Sequence, residues 1–441
     1  MVGMDKASHL PLEIIDTITS LLQGNTKALR ACTLLSPRWT ISARRHLFEL
    51  TSFHLDDPDD PDASTADSAA LRLDAFATFL DSAPYVCDFV RELHLLSLHP
   101  DESDKSVDDS EDEDAFQVDL IDLLPVLIKL SALRKLVLEY VLWSPLPSHV
   151  VGGASKAPTL MQCPWIETLH VFELTSLTDD FAQLGAIFYH LPGLTDLVIG
   201  HGQLDTLEDL DTEAPEVIPF PQNMHLRTLE LKHTLVPCVL ASLVHTDTVN
   251  CLRSLEIEAG TLLWGDIDRM GTLFEAVGPR LRHLRMAVAY SAVQNLTWDQ
   301  DFVRNIWHNL RLSACTALRT LHLETDYDMV LGLVPYEISP WVPIQAMLDS
   351  LPTITGSLQR LVLTTPRTGF LSYPASTRRR AEPRWTELQS RVLAFPALKS
   401  LRFVIGDQNY EDDDIDDVTV RRVRRQLPAL EAKGLLKFNW D

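Results

Sequence analysis

One nine-residue phrase recurs through the chain and limits the fold more than any other feature. It reads VRELHLLSL from Val90, LRKLVLEYV from Leu133, IETLHVFEL from Ile166, LTDLVIGHG from Leu194 and LRTLELKHT from Leu226. It continues as LRSLEIEAG from Leu252, LRHLRMAVA from Leu281, LRTLHLETD from Leu318, LQRLVLTTP from Leu358 and LKSLRFVIG from Leu398. Positions one, four and six are aliphatic, Met or Phe in every copy. Positions four and six are two residues apart, so on a strand they share one face. Positions five and seven point the other way and are mixed: Glu230 and Lys232, Glu256 and Glu258, Arg285, His322 and Glu324. A short strand with one buried side cannot cover that side alone, so the copies must stack on one another.

The copies start 26 to 43 residues apart, and the intervals carry helix-like stretches. TDDFAQLGAIFYHL places Phe181, Leu184, Phe188 and Leu191 on one stripe; PWVPIQAMLDSL and RWTELQSRVLAF have the same character. Strand, turn, helix and return make one coil of a solenoid. The repeated L-x-x-L-x-L core resembles leucine-rich repeats of the long, irregular kind, over roughly Tyr85 to Asp441. That family often places Asn or Cys three residues after position six. Here those places hold Leu98, Val141, Leu174, Gly202, Thr234, Gly260, Ala289, Asp326, Pro366 and Gly406, so the turns are irregular. The ending VRRVRRQLPALEAKGLLKFNW reads as one helix stopped near Gly434, then a closing strand Leu435–Trp440.

The opening LPLEIIDTITSLLQG reads as a helix with Pro11 at its first position and Glu13 facing the positive end of the dipole. Ile14, Ile15, Ile18, Leu21 and Leu22 form a broad apolar stripe, and Gly24-Asn25 ends the helix. Thr26 is the expected cap of a second helix carrying Leu29, Cys32 and Leu35. Ser36-Pro37 opens a third with Trp39, Ala43 and Leu47. Three helices this short make a poor independent core and usually need outside help.

The order Leu10-Pro11, Glu13-Ile14, Leu29, Cys32, Leu35, Ser36 and Trp39 resembles an F-box over about Ser8 to Leu50. The continuation ARRHLFELTSFHL is similar to F-box proteins of fungi, where it leads toward a repeat region. The resemblance implies docking on an Skp-family adaptor, which links to a cullin and a ubiquitin-conjugating enzyme. It implies Leu10, Pro11, Ile14, Ile15 and Ile18 as adaptor contacts, with Leu35 and Trp39 supporting. The alternative is that the trio only caps the first repeat, since such arrays need capping units.

The expected fold class is therefore α/β: a three-helix F-box over residues 1–50, then an irregular leucine-rich-repeat solenoid with parallel strands on the concave face and helices outside. Residues 51–84 read as an acidic linker and a first helix leading into the array. The solenoid spans 85–441, with an acidic disordered insertion at 100–115. The function the F-box resemblance implies is target selection for an Skp–cullin–F-box ubiquitin ligase, without catalysis by this chain. The acids Glu139, Glu230, Glu256, Glu258 and Glu324 on outward strand positions point to a basic protein target. Two alternatives stand: a leucine-rich scaffold, inhibitor or GTPase-activating protein acting without ubiquitin, and an F-box protein in a non-proteolytic complex.

Composition narrows the remaining classes. The net charge of −24 argues against nucleic acid and against anionic membrane surfaces. No run approaches the ~20 apolar residues needed to span a bilayer. MVGMDKASHLP lacks the apolar core of a secretory signal, so the expected compartment is the cytoplasm, the nucleus or both. Six scattered cysteines, without a C-x-x-C pair, read as reduced and mostly buried. The sequon at Asn295 then reads as a chance match. No phosphate loop, H-E-x-x-H or G-x-S-x-G occurs, and neither cofactor nor metal is expected. Asp56–Asp62 and Asp101–Asp114 read as solvated insertions, and Ser106 and Ser110 suit an acidophilic kinase. Glu411–Asp417 reads as a surface loop, Arg378–Arg380 as a basic loop and Arg421–Arg425 as a basic helix face. His94, His170 and His322 read as outward-facing.

Overall fold

Strand-forming phrases that alternate with helical intervals dictate parallel pairing, because each strand must re-enter the sheet in the same direction as the last. The computed structural model describes residues 10–55, 66–97, 117–118, 120–139, 141–143, 162–172, 185–200, 220–232, 236–259, 264–289, 304–305, 307–326, 341–352, 356–366, 384–406 and 413–440. The chain divides into two compact units, Met1–Thr195 and Asp196–Asp441. The sequence carries no sign of this division, since copies of the phrase run on both sides of it.

The first unit opens with helices α1 (Leu12–Leu21), α2 (Thr26–Cys32) and α3 (Pro37–Phe48). Two cap expectations are corrected. Pro11 is the N-cap of α1, one residue before the first helical position, and its carbonyl accepts from Ile14 and Ile15. Asn25, not Thr26, caps α2: its Oδ1 accepts the Ala28 N–H at 3.0 Å, a shorter and better-placed acceptor than the threonine inside the helix. Gly24 takes φ +87°, which ends the first helical segment in a conformation that suits glycine. Ser36 and Pro37 open α3 as expected.

Strand β1 (Leu50–His54) follows at once, then helices α4 (Ala66–Ser82) and α5 (Pro84–Cys87) and strand β2 (Glu92–Leu96). The array thus begins at Leu50, where a linker was expected. Phe53 of β1 stacks on Phe76 of α4 with ring centroids 4.9 Å apart. Short strand β3 (Gln117–Val118), helix α6 (Leu120–Lys129), strand β4 (Lys135–Glu139), short strand β5 (Leu142–Trp143) and strand β6 (Thr168–Phe172) complete the unit. β1, β2, β4 and β6 form a parallel sheet in chain order, while β3 and β5 pair separately.

The second unit holds β7 (Asp196–Ile199), β8 (Thr228–Lys232), helices α7 (Val236–Leu243) and α8 (Thr248–Cys251), β9 (Ser254–Ala259), helix α9 (Trp264–Val277), β10 (His283–Ala289) and β11 (Thr320–Asp326). Helix α10 (Trp341–Ser350), β12 (Arg360–Pro366), helix α11 (Trp385–Leu393), β13 (Ser400–Gly406), helices α12 (Asp413–Gln426) and α13 (Pro428–Ala432) and β14 (Leu436–Trp440) follow. These strands are parallel and in chain order from β7 to β14.

All ten phrases form strands, and positions four and six are buried in every one, from Leu93 and Leu95 at 0% exposure to Leu401 and Phe403 at 0%. Each such side chain contributes about 1.5–3 kcal/mol of transfer free energy. Position one is buried too, from Val90 to Leu398. Helices cover this face. Phe188 and Leu191 of the expected stripe are buried, residues 185–190 are helical, and Phe181 and Leu184 lie outside the described residues. Trp341 of α10 meets Trp385 of α11 and Phe403 of β13, at 6.0 and 6.5 Å between ring centroids. Arg391 of α11 donates to the carbonyls of Leu348, Asp349 and Leu351 at 2.6–2.8 Å, supplying a cation to the C-terminal carbonyls of α10.

Helix α9 sits so close to the following coil that two glycines have no room for a side chain. A Cβ on Gly271 would lie 2.0 Å from the Asn309 carbonyl oxygen, and one on Gly278 would lie 2.7 Å from Ala314 backbone atoms. Arg311 fastens the same coil to α9, reaching Glu275 at 2.7 Å and Asp268 at 3.1 Å.

The C-terminal expectation is corrected in two places. The single helix is two, broken before Pro428, whose ring cannot continue the preceding helix. The helix α12 begins at Asp413, inside the acidic run taken for a loop; carboxylates are favoured in the first turn of a helix. Gly434 has φ +66° and the closing strand pairs with β13, with Phe438 stacked on Phe403 at 5.9 Å.

Candidate functional site

The first candidate surface is the N-terminal helical trio. Ile15, Leu29, Cys32, Trp39 and Ala43 form its core, with Leu10, Ile18, Leu22 and Leu47 packed against it. A polar contact crosses this core. The Thr19 and Ser42 hydroxyls lie 2.6 Å apart, and Ser42 donates to Asp16, so α1 and α3 are tied at one place. A hydrogen-bonded pair in a small core fixes which faces meet, because leaving either hydroxyl alone would cost about 1–3 kcal/mol.

The residues expected to meet an adaptor separate into two sets. Pro11, Ile14 and Leu35 are exposed, the last two at 47% and 59%. Leu10 and Ile18 are half-buried against the core. Ile15 and Trp39 are buried at 0% and 6%. Ile15 is therefore corrected from a contact to a core residue: its whole side chain is spent holding the helices together. Trp39 belongs to the same core. The trio exposes further large apolar side chains that the sequence reading left out or assigned to the stripe: Leu12, Leu21, Leu34 and Ile41, at 48, 81, 86 and 60%. Their signal was present, as apolar residues lying off the positions that complete the buried stripe.

The second candidate surface is the outward side of the strands. Arg285 of β10 stands between Glu256 of β9 and Glu324 of β11, donating Nη1 to the first and Nη2 to the second, the latter at 2.9 Å. Burial weakens the Arg285 cation, but the hydrogen bonds it donates to Glu324 and Glu256 outweigh it and hold the proton more firmly than on an ordinary arginine. Glu230 pairs with Lys232 at 3.0 Å. His322 reaches Thr364 at 2.6 Å. Three of the five acids expected to attract a basic target thus share two cations of the same face, Arg285 and Lys232, which leaves one net negative charge among them. Glu258 and Glu139 have no ion pair among the described residues, and Glu139 lies in the first unit while Glu258 lies in the second.

In the first unit, Glu92 of β2 is held below the usual carboxylate range. Burial pushes it up, but hydrogen bonds from His94 and Lys135, at 2.8 and 2.7 Å, prevail. His94, His170 and His322 are all half-buried on outward positions, as expected, and His170 sits edge-on to Phe172.

Cys32, Cys87, Cys163, Cys251 and Cys315 are unpaired, and all but Cys251 are buried. Burial pushes the Cys163 thiol up to about 11 and the Cys315 thiol up to about 12. Among the described residues no three His, Cys, Asp or Glu side chains are grouped to hold a metal ion, and no helix is long and apolar enough to cross a membrane. Asp56–Asp62, Asp101–Asp114 with Ser106 and Ser110, Asn295 and Arg378–Arg380 lie outside the described residues. Arg421, Arg424 and Arg425 are exposed on α12 around buried Val423, as a basic helix face requires, and Arg424 reaches Glu431 at 3.5 Å. No protein-family model matches the chain, and no curated protein matches it.

Proposed function

We propose that the chain is the target-binding subunit of an Skp–cullin–F-box ubiquitin ligase, acting inside the cell. The F-box resemblance carries the identity of the partner. The observation that supports it is the surface of the trio: Leu12, Ile14, Leu21, Leu34, Leu35 and Ile41 are each at least 47% exposed. Apolar side chains in that number on so small a body mark a surface that another protein covers. The capping alternative fits this less well, because a cap presents a polar outer face to water. The chain contributes no reacting group. It holds a target protein on the outward strand face and adjoining loops, so that a bound conjugating enzyme works at high effective concentration.

The test is capture of the tagged chain from its own cells, with an Ile14→Asp, Leu35→Asp double variant beside it. Both positions are exposed, so the variant keeps the core of the trio. Adaptor and cullin are expected with the unaltered chain and not with the variant. Recovery of neither with the unaltered chain sinks the reading and favours a scaffold that acts without ubiquitin.

A further inference from the structure

Position two of the phrase, silent in the packing, forms a row of its own in the second unit. Arg227, Arg253, Arg282, Arg319, Gln359 and Lys399 occupy it in successive copies from Leu226 onward. The row is in strict register. Arg253 donates its N–H to the Arg227 carbonyl, Arg282 to Arg253, Arg319 to Arg282, Gln359 to Arg319 and Lys399 to Gln359, each at 2.8 Å. Five strand spacings of ~4.8 Å make a row about 24 Å long at the N-terminal ends of the strands.

The side chains of Arg227, Arg282, Arg319 and Lys399 are exposed, as is Arg360 one position further on. Arg253 is half-buried and turns one Nη to its neighbour's carbonyl. None of these cations is paired with a carboxylate among the described residues. This is the opposite of what the chain's composition favours, with 62 acidic against 38 basic residues. It also differs from the first unit, where the same position holds Arg91, Arg134, Glu167 and Thr195, and Arg134 stands 3.7 Å from Glu167. The cations act on one another. His283, in the middle of the row, has its pKa lowered by partial burial and then by the charges of Arg319, Arg282 and Arg360. Like charges a strand apart in water repel by roughly 1 kcal/mol each.

We infer that this row binds an extended acidic segment of a partner protein, its carboxylates seated on Arg227, Arg282, Arg319, Arg360 and Lys399. Guanidinium forks match carboxylates in two-point contacts. At about 3.3 Å per residue, seven or eight extended residues span the row. Nucleic acid fits worse: the row carries no aromatic ring on which bases stack, and a longer polyphosphate runs into a chain of net charge −24. The inference concerns only the chemistry this surface accepts, so it stands or falls apart from the ubiquitin-ligase reading.

The experiment is fluorescence anisotropy with the full chain and a fluorescein-labelled octa-glutamate peptide at low salt, with labelled octa-lysine and a single-stranded 12-nucleotide DNA alongside. Octa-glutamate is expected to bind, and an Arg282→Gln, Arg319→Gln double variant to weaken it at least tenfold. Arg384→Gln, at the start of α11 and outside the row, is expected to leave it unchanged. If the double variant melts early, the separate Arg319→Gln and Lys399→Gln variants are read instead, each expected to weaken binding about threefold. No binding of octa-glutamate, binding indifferent to these changes, or tighter binding of the DNA than of the peptide overturns the inference.

Discussion

The carbonyl oxygen of Glu49, the last residue of the α3 turn, accepts the amide N–H of Arg91 at 2.9 Å and that of Glu92 at the same distance. The carbonyls of Arg91, Arg134, Arg227, Arg253, Arg282, Arg319 and Gln359 repeat this double acceptance at position two, as Arg91 does for Arg134 and Lys135. The helical trio is therefore joined to the first sheet through the sheet's own hydrogen bonds and not through a free tether. Amide exchange of Arg91 and Glu92 is expected to be as slow as inside β2. Exchange at open-loop rates would show that the trio swings independently.

The two neighbouring isoleucines of α1 have opposite duties. Ile15→Ala empties a site in the small core and is expected to cost about 2–5 kcal/mol. Ile14→Ala, on an exposed side chain, is expected to cost under ~0.5 kcal/mol. Urea unfolding of both variants, followed by tryptophan fluorescence, separates them; equal costs would contradict the burial described.

Replacing glycine by alanine inside a helix ordinarily stabilises by about 1 kcal/mol. At Gly271 the sign is expected to reverse, because the added methyl meets the Asn309 carbonyl oxygen at 2.0 Å. Gly271→Ala is expected to destabilise by roughly 1–3 kcal/mol, the range of an overpacked site. A thermal melt that moves upward would refute the close approach.

Arg285 offers a charge test. Its side chain is 35% exposed, so each of its two ion pairs is worth only about 0.2–1 kcal/mol. A double-mutant cycle of Arg285→Met with Glu324→Gln is expected to give a coupling within that range, shrinking as salt is raised. A coupling insensitive to salt would point to contacts other than charge.

The raised thiols of Cys163 and Cys315 stay protonated through the range where ordinary cysteines ionise. Iodoacetamide at pH 8.5 is expected to spare both in the folded chain and to label both in denaturant, because the thiolate is the reacting form. Mass spectrometry after digestion reads this directly; rapid labelling of native Cys315 would place it nearer water than its 1% exposure allows.

What the residues disclose in advance is local and periodic. Ten copies of L-x-x-L-x-L announce their strands because positions four and six repeat a two-residue period. The trio announces itself through Ser36-Pro37 and the Trp39, Ala43, Leu47 spacing. β1 stays hidden because Thr51 stands where every later copy has Leu, and its partner comes some forty residues later. The sharing of one arginine by Glu256 and Glu324 is equally hidden. It depends on strand register bringing Arg285 between residues 29 and 39 positions away. For the same reason the arginines of position two look like scattered surface charges until the hydrogen bonds align them.

The order of the strands has a consequence for how such a chain comes into being. In the second unit every strand from β8 onward docks beside the one made just before it, so none waits for a distant sequel. With copies 26 to 43 residues apart, synthesis at about 5–20 residues per second supplies the next strand within a few seconds. The sticky open edge that every unfinished sheet presents is thus covered almost as soon as it leaves the ribosome. The helical trio, made before the strands and bonded through Glu49, gives the growing first sheet a finished end from which to start.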